Sequence, residues 1–475
     1  MKQAEIAEGE SWNSGTRMSR CPEVMPRPAR PKWISFENGL GHAQFSGFSP
    51  PAGAANGWRC FQQKVERYTS SCAALWDDAG TATPCLGPVI PLSAKLEREA
   101  QAERQMEEIK ARLRRFPRSP RDRGAWREAL LNTSREMARN SLGLPEPGLQ
   151  LLFNRPGLEA SRRFARDAKA FDPGIADASL FQAMRNLWIV NSIQLLMDRP
   201  VCLSPAVFGY SMLYPWTDNY LDDPRVPGQS KLEFGAWFER RLRGSRAVPA
   251  DTRSAQVSRL VALIERCFPR VQFEDVYLSL RAIHQAQMAS LAQQQTDGSL
   301  GEPDLLRTTF RKGGTSVLAD AYLVAGKLSE VEAGFMFDFG VLLQLLDDLQ
   351  DLQTDLANGH ATLFAAQADG WLDGVTAKLW SFAQAVLWSS HRFSAQPHHA
   401  VKALIQESCK LMMLQGVARN HGRYRPPFVS ELEKYSPFRF SFLRAREPAL
   451  KDESNKIISL LRQRRRLDSA FDLLS

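Results

Sequence analysis

The segment that decides the fold class reads GVLLQLLDDLQDLQTDL and runs from Gly340 to Leu356. Its leucines recur every three or four residues, which is the spacing of an α-helix that buries one face in a core. A second stripe of the same helix carries acidic side chains one turn apart, with a glutamine beside them: Asp347, Asp351, Asp355 and Gln344. The spacing predicts a core helix with one strongly acidic side.

Comparable helical patterns recur through most of the chain, for example at 94–115, 179–198, 274–295 and 400–418. Between them we find no alternating strand pattern and no Asn-Gly hairpin. There is also no repeat of about 20–50 residues, which would indicate a helical solenoid. We therefore predict an all-α protein with a single large α-helical bundle over residues 94–475.

Residues 1–93 differ in composition from the rest of the chain. They are rich in Pro, Gly and Ser, as at 26–32 and 47–57, and they show no sustained period. We interpret them as an irregular, partly disordered N-terminal extension. A short helix between Trp58 and Trp76 is the alternative.

The charge balance and the cysteines bear on partners and compartment. Among 475 residues, 61 are Lys or Arg and 52 are Asp or Glu, for a formal charge of +9, which suits an anionic partner. No apolar run approaches the roughly 20 residues of a membrane span, and the N-terminus lacks the features of a secretory signal. The seven cysteines form no CxxC pair. We therefore predict no disulfide framework, no zinc site and a cytoplasmic location.

Two basic runs invite a nucleic-acid interpretation: Arg112–Arg127 and Arg462–Arg466. They lack the interleaved aromatic residues and the recognisable module of an RNA- or DNA-binding protein. We therefore expect no nucleic-acid partner. Weak peripheral contact with an anionic membrane stays open, as does a homodimer.

The acidic helix side is one of two acidic clusters. Its aspartates, which form the second acidic cluster in chain order, lie within nine residues and repel one another, and a hard divalent cation such as Mg²⁺ would relieve that repulsion: Asp347, Asp348, Asp351 and Asp355. The first acidic cluster in chain order lies near a predicted helix C-terminus, an unfavourable place for anions: Asp218, Asp222 and Asp223. A solvated acidic surface is the alternative for each. Because both clusters are set in apolar helices, we expect them to face each other across the bundle and to hold metal ions that bridge a diphosphate.

These motifs resemble those of the class I isoprenoid synthases, the trans-prenyl diphosphate synthases and class I terpene synthases. The stretch from Gln344 to Asp351 resembles their second aspartate-rich motif, FQxxDDxxD. The stretch from Asp218 to Asp222 resembles the first, DDxxD, with Asn219 in place of its second aspartate. Two further segments are similar to the family's KT(G)xLF and GKxTLP segments: Lys312–Leu318 and Asn358–Leu363, the latter with His360 where a lysine is usual. The resemblance covers about residues 180–365 and implies a helical bundle of the isoprenoid synthase type.

Departures from the family pattern favour a terpene cyclase over a chain-elongating enzyme. The GGKRxRP and RRGxP segments, which bind isopentenyl diphosphate in chain-elongating synthases, are not found. Asp347, Asp351 and Asp355 have the spacing of the terpene synthase NSE triad, with Asp351 where Ser or Thr is usual. Arg423-Tyr424 is similar to the RY pair that clamps diphosphate in bacterial cyclases. A chain-elongating synthase and an inactive helical scaffold remain the alternatives.

The resemblance implies that an allylic diphosphate of the farnesyl or geranylgeranyl class is ionised, with three Mg²⁺ ions held by Asp218, Asp222, Asp223 and the four aspartates of the second motif. Cationic groups would assist the leaving diphosphate, with Arg311 and Lys312 as the first candidates. The remaining candidates for diphosphate or substrate contact are Arg307, Gln344, Arg423, Tyr424, Tyr214 and Trp216. For the aromatic residues core packing is the alternative, and for the cations a solvated helix break at Gly313-Gly314.

Overall fold

A computed structural model describes residues 52–117, 119–245, 248–294, 301–388 and 396–446. They belong to one compact unit, which begins at Ala52. Within these residues the regular structure is helical throughout and no strand forms, so the predicted all-α class is confirmed. No helix in this part of the chain is long and apolar enough to cross a membrane.

The described residues form sixteen α-helices, joined by short loops and single turns of 3₁₀ or π helix. Their bounds are α1 Ala52–Asp77, α2 Leu92–Arg114, α3 Arg123–Glu136, α4 Glu146–Leu152, α5 Arg155–Phe171, α6 Asp177–Leu196, α7 Pro205–Asp222, α8 Gly228–Leu242, α9 Thr252–Cys267, α10 Glu274–Ser290, α11 Glu302–Ala325, α12 Glu330–Asn358, α13 Leu363–Ala366, α14 Asp373–Trp388, α15 Gln396–Arg419 and α16 Pro426–Glu433.

Helix α12, which contains the deciding segment, runs through the centre of the bundle. It begins at a capping box in which Ser329 and Glu332 satisfy each other's backbone N–H groups. Its leucine face is buried against α11, α14 and α15. It ends at Gly359, whose φ of 68° is the left-handed conformation that glycine adopts without strain. The leucine stripe is thus buried in the core, as predicted, and the acidic stripe faces a different side of the helix.

Helices α11 and α12 form the most extensive pair in the bundle. A Cβ atom on Gly313 would lie 2.6 Å from the carbonyl oxygen of Gly340, so the backbones touch here only because both residues lack a side chain. Gly314 is covered by the ring of Phe337 in the same way. The Gly313-Gly314 pair is therefore a packing device in an unbroken helix, and the alternative of a helix break is wrong.

Helix α7 brings the first acidic cluster to the same region. Its N-terminus is capped by the Ser204 side chain with Pro205 at the first position, both typical of a helix start. It packs on α6, α9, α10 and α11. It ends at Asp222, because the chain turns outward at Asp223-Pro224. Asp218 and Asp222 thus occupy its last turns, as predicted.

The interpretation of residues 1–93 as an irregular extension is wrong for residues 52–77, which form α1. The helix packs on α10, α11, α12 and α14 through apolar residues four or seven positions apart, which lie on one face: Phe61, Val65, Cys72 and Trp76. The short-helix alternative thus underestimated a helix of 26 residues that belongs to the core. Residues 1–51 lie outside the described residues.

Candidate functional site

The two acidic clusters line one pocket of about 220 Å³ between α7, α10, α11 and α12. Six of the seven predicted aspartates reach it, together with Lys312 and Gln344: Asp218, Asp222, Asp347, Asp348, Asp351 and Asp355. The sequence-based expectation that the two segments face each other across the bundle agrees with this placement. We call this space the acidic pocket.

One wall of the acidic pocket is formed by the end of α7 and by Lys312 of α11. The Lys312 Nζ lies 3.1 Å from Asp218 Oδ1 and 3.8 Å from Asp222 Oδ2, so one ammonium group spans both carboxylates of the first cluster. Lys312 and Asp218 are largely buried, whereas Asp222 is more open to solvent. The predicted cation and the predicted anions are therefore direct partners.

The opposite wall is the acidic side of α12. Asp347, near the mouth, accepts a hydrogen bond of 3.0 Å from the Arg185 guanidinium of α6. Both side chains are about half exposed. Asp351, one helical turn after Asp347 in the chain, also lines the pocket. The mouth thus carries an arginine that the sequence analysis did not select.

Asp348 is the most buried carboxyl group of this wall. Its Oδ1 accepts a hydrogen bond of 2.8 Å from Gln344 Nε2, one turn earlier on α12. Its Oδ2 is buried and has no hydrogen-bond partner. A buried polar atom without a partner is rare in proteins, because its desolvation is not offset. This oxygen is therefore a ready donor for a ligand in the acidic pocket.

The far end of the acidic pocket is closed by the loop after α12. The Thr362 hydroxyl donates a hydrogen bond of 3.2 Å to Asp355 Oδ2. The backbone of Ala361 exchanges hydrogen bonds with Gln293, in the 3₁₀ turn that follows α10. His360, which stands where the family's segment has a lysine, lines the pocket as well. This loop therefore ties α10 to α12 at the end of the site.

The pKa values of four carboxyl groups in the acidic pocket are raised. Burial, opposed by the Gln344 hydrogen bond and reinforced by the neighbouring carboxylates, raises the pKa of Asp348 to about 8. Burial likewise raises the pKa of Asp355 to about 7. The pKa of Asp351 is raised by burial and by Asp347, and that of Asp218 by burial, against the attraction of Lys312. Burial and the neighbouring carboxylates thus favour the neutral form of these groups, and a nearby cation would favour the charged form.

The donor set of the acidic pocket fits magnesium. Mg²⁺ prefers carboxylate oxygen, keeps several water ligands and is usually held by only one or two carboxylates together with substrate phosphates. Within the described residues no group of three or more His, Cys, Asp or Glu side chains is arranged to hold a metal ion by itself. An open site would use the partly exposed Asp222 and the buried, unpartnered Asp348 oxygen as its protein donors.

Two of the predicted cations on α11 do not line the acidic pocket. Arg307 forms an ion pair of 2.9 Å with Glu66 of α1, and Arg311 lies 4.0 Å from the same carboxylate. Arg307 is one turn from Arg311, so both follow the side of α11 that faces α1. Their selection as diphosphate ligands is therefore not supported by their position, in contrast to that of Lys312.

The Arg423-Tyr424 pair is also remote from the acidic pocket. The Arg423 side chain donates to the backbone carbonyl of Ala368. The Tyr424 ring is buried and stacked on Phe428, and its hydroxyl lies 2.9 Å from the Thr376 hydroxyl. Both side chains hold the turn after α15 against α14. The dipeptide therefore does not lie at the acidic pocket, where an RY-type diphosphate clamp would have to be.

The other three candidates differ in placement. The Trp216 ring lies beside the guanidinium of Arg253 and does not line the acidic pocket. Asp223 turns away from the pocket and binds Arg225 through both carboxylate oxygens. Neither residue therefore lies where its predicted substrate or metal role would require it. The side chain of Tyr214 lies outside the described residues.

The acidic pocket also includes residues to which the sequence analysis gave no site role. Besides His360 they are polar side chains scattered over several elements: Gln182, Asn219, Ser290, Gln293, Thr309 and Thr362. Gln182 and Asn219 are joined by a hydrogen bond of 2.8 Å that links α6 to α7. Single polar residues at helical spacing give no signal until the helix packing is known.

The apolar space beside the acidic pocket is small. It measures about 10 Å³ and adjoins Thr217, the neighbour of Asp218 in the chain. Its walls are mainly apolar and aromatic side chains, with buried His284 and Gln287 among them: Tyr210, Leu213, Phe238, Leu280 and Ile283. An isoprenoid tail would need far more room, since ligand pockets typically enclose about 300–1,000 Å³.

No family model, curated protein or solved structure matches this chain. Its function is therefore argued from the acidic pocket and from the motifs quoted above.

Proposed function

We propose that the protein is a class I terpene synthase, which ionises an allylic prenyl diphosphate of the farnesyl or geranylgeranyl class with Mg²⁺ and releases diphosphate. The observation that supports it is the meeting of the two aspartate clusters, with Lys312 between them, in one pocket. A solvated acidic surface would not gather six aspartates around a buried lysine, because burial of like charges costs free energy. The bundle is, on this proposal, of the isoprenoid synthase type.

Some residues of the acidic pocket would hold the metal ion, and others would bind the diphosphate anion. Asp222 and the unpartnered oxygen of Asp348 would hold the metal ion, and Gln344 holds the Asp348 carboxyl in place. Bound Mg²⁺ supplies electrostatic stabilisation of the negative charge that develops on the leaving diphosphate. Lys312 and Arg185 are the cationic groups in direct reach of the two carboxylate walls, and they would bind diphosphate oxygens.

The small apolar space sets a condition on this proposal. A prenyl tail can enter only if side chains around Thr217, such as Phe238 and Ile283, change rotamer or if α8 and α10 move apart. Movements of this kind are common when a ligand closes or opens a site. The same observation favours the second candidate, an inactive helical scaffold, which needs no room for a tail.

Diphosphate release tests the proposal directly. The purified protein would be incubated with geranyl, farnesyl and geranylgeranyl diphosphates, each with Mg²⁺ or with EDTA, and each with or without isopentenyl diphosphate. Mg²⁺-dependent release from one allylic substrate alone is the expected result. Release only when isopentenyl diphosphate is added would instead identify a chain-elongating synthase. No release, with no thermal stabilisation by Mg²⁺ and pyrophosphate, would identify a scaffold and refute the proposal.

A further inference from the structure

Helix α6 carries an exposed aromatic pair on the side that continues outward from the acidic pocket. Phe181 and Trp188 are 47% and 39% exposed, and their ring centroids lie 5.8 Å apart in an edge-to-face arrangement. Arg185 lies between them on the same face, at i+4 from the phenylalanine. The opposite face of α6 is buried through Ala183 and Val190. The exposed rings are therefore not needed to anchor the helix.

The tryptophan of this pair is held in place from the neighbouring helix. Its Nε1 donates a hydrogen bond of 3.2 Å to the Ser161 hydroxyl of α5. A tryptophan that is fixed through its N–H group and keeps more than a third of its surface in water presents an apolar edge to the outside. Paired exposed aromatic rings of this kind mark a binding surface more often than single ones do.

Helix α5, which holds Trp188, is amphipathic and basic. Its buried face is apolar, with Phe164 and Ala168 in the core. Its outer side carries Arg162, Arg163 and Arg166, and it has five basic and two acidic side chains in all. One of the acidic residues, Asp167, pairs with both Arg163 and Arg166 at 3.4 and 3.3 Å.

Helix α3 extends this positive charge. The pKa of Arg127 is lowered by burial and by the positive charges of Arg162 and Arg123. Acidic side chains are also present on these helices, at Glu128 and Glu159, so the surface is basic without being uniformly so.

We propose that this surface, formed by Phe181 and Trp188 of α6 and the arginines of α5, docks on an anionic phospholipid bilayer. Aromatic rings next to basic side chains are the combination that binds the interface of a membrane: the rings insert at headgroup level and the arginines attract acidic lipids. A protein partner that covered the patch would not require the excess of arginine. A nucleic-acid duplex would engage the arginines without needing the rings to be buried.

The surface adjoins the acidic pocket, and this position gives membrane docking a role. Gln182, the residue after Phe181, lines the acidic pocket, and Arg185 reaches its mouth. A bilayer bound here would therefore lie next to the pocket mouth, where an amphiphilic molecule leaving the membrane would present its polar head first. The docking itself does not depend on the proposed catalysis, and it is testable without turnover.

The test is co-sedimentation with vesicles of phosphatidylcholine alone and of phosphatidylcholine with about one-third phosphatidylglycerol. The full chain should bind the anionic vesicles and should dissociate from them at high salt. The double variant Phe181→Ser/Trp188→Ser should bind at least about tenfold more weakly, because the rings no longer enter the interface. Each of Arg162→Gln and Arg163→Gln should cost about fivefold, the worth of one basic residue near such a surface. The matched controls, Trp371→Ser and Arg266→Gln, change an equally exposed ring and an exposed arginine elsewhere and should bind like the wild type.

Thermal melting of each variant checks that the fold is kept, and all the changed side chains are at least partly exposed. The proposal fails if the controls lose as much binding as the ring and arginine variants, or if neutral vesicles bind equally well. It also fails if a DNA duplex displaces the vesicles and depends on the arginines but not on the rings, which would indicate a nucleic-acid surface. A dimer in light scattering that dissociates in the ring variant would assign the patch to a second copy of the chain. Loss of vesicle binding with intact diphosphate release would separate this proposal from the catalytic one.

Discussion

Gly313 of α11 and Gly340 of α12 lie in direct backbone contact: a Cβ atom on Gly340 would stand 2.2 Å from the carbonyl oxygen of Gly313. This contact sets the register of the two helices that carry the acidic pocket. Lys312 adjoins it on α11, and Asp347 lies about two turns further along α12. The distance between the cation and the second acidic cluster therefore depends on two residues that have no side chain.

Gly340→Ala should destabilise the fold and disturb the site together. The added methyl group meets backbone, which cannot rotate away, so the helices must separate. We expect a loss of about 1–3 kcal/mol in the free energy of unfolding, as for other overpacked cores, measured by chemical denaturation, and weaker binding of pyrophosphate with Mg²⁺. Gly374→Ala is the matched control, because a Cβ there meets nothing within 4 Å and alanine is the better helix former. Equal stability of Gly340→Ala and wild type would contradict the close approach.

Asp347→Asn tests the acidic wall of α12. The change keeps the size of the side chain and removes a charge, so diphosphate release should fall by at least about a hundredfold if the carboxylate helps to hold Mg²⁺. The melting temperature should change little, because the ion pair with Arg185 is half exposed on both sides and such pairs are worth about 0–1 kcal/mol. Lys312→Ala should also slow release, while Mg²⁺-dependent stabilisation by pyrophosphate persists.

The control for this pair is Asp223→Asn. Asp223 belongs to the first acidic cluster in the sequence, but it pairs with Arg225 and does not line the acidic pocket. Its variant should therefore release diphosphate at the wild-type rate. If Asp347→Asn is as active as Asp223→Asn, the metal-site assignment of the α12 wall is wrong.

The sequence predicts the parts of this site that depend on spacing within one helix, and it does not predict the parts that depend on contacts between distant segments. Asp347, Asp351 and Asp355 share a helix, so their common direction follows from local spacing, and the sequence predicts it. Arg185 is 162 positions away from Asp347, and only the packing of α6 brings them together.

The same limit explains the wrong predictions. Arg423 and Tyr424 match a known dipeptide, but the turn after α15 places them against α14 instead of the pocket. Arg307 has the expected charge and spacing, and its partner Glu66 comes from helix α1, which the sequence analysis gave only as an alternative. A short motif identifies which side chains are available, whereas the packing of distant segments determines which of them come into contact.

Trp76→Ala should show that α1 is part of the core. Its ring is buried in edge contact with Phe310 and Phe382, at centroid distances of 6.3 and 5.6 Å. Removing a buried tryptophan costs about 3–5 kcal/mol, because the cavity is only partly filled by relaxation. Trp371→Ala, at a ring that is 52% exposed, should change stability by less than about 0.5 kcal/mol. Denaturant titration of both variants gives the comparison, and similar small losses in the two would contradict the core position of α1.

Truncation extends this test. A chain that starts at Ala52 keeps α1, whereas one that starts at Pro91 loses it. We expect the first to melt cooperatively, as the full chain does, and the second to melt at a clearly lower temperature or to aggregate, because the surfaces of α11 and α14 that α1 covers are apolar. A folded and equally stable chain from Pro91 would show that the helix is dispensable.

Asp320 of α11 is a buried carboxyl group outside the acidic pocket. It accepts one hydrogen bond of 3.1 Å, from Asn186, and its Oδ2 has no partner. Burial, only partly opposed by the Asn186 hydrogen bond, raises its pKa well above the usual value. The carboxyl group therefore stays neutral in the fold over a pH range in which it ionises in the unfolded chain.

Asp320→Asn should stabilise the protein in a pH-dependent way. Since the folded pKa is raised, the contribution of Asp320 to stability is fully present below the unfolded pKa of about 4 and is lost as pH rises above it. The amide does not ionise, so the variant should equal wild type near pH 4 and exceed it by about 1–3 kcal/mol near neutrality, the usual cost of an unsatisfied buried group. Glu265→Gln should behave oppositely: burial raises the pKa of Glu265, but hydrogen bonds from Arg241 and Arg270 outweigh this and lower it. Its variant should lose stability near neutrality, and the difference should shrink as pH falls below about 4. Denaturant titrations at several pH values measure both slopes, and parallel pH profiles for Asp320→Asn and wild type would show that Asp320 is ionised in the fold.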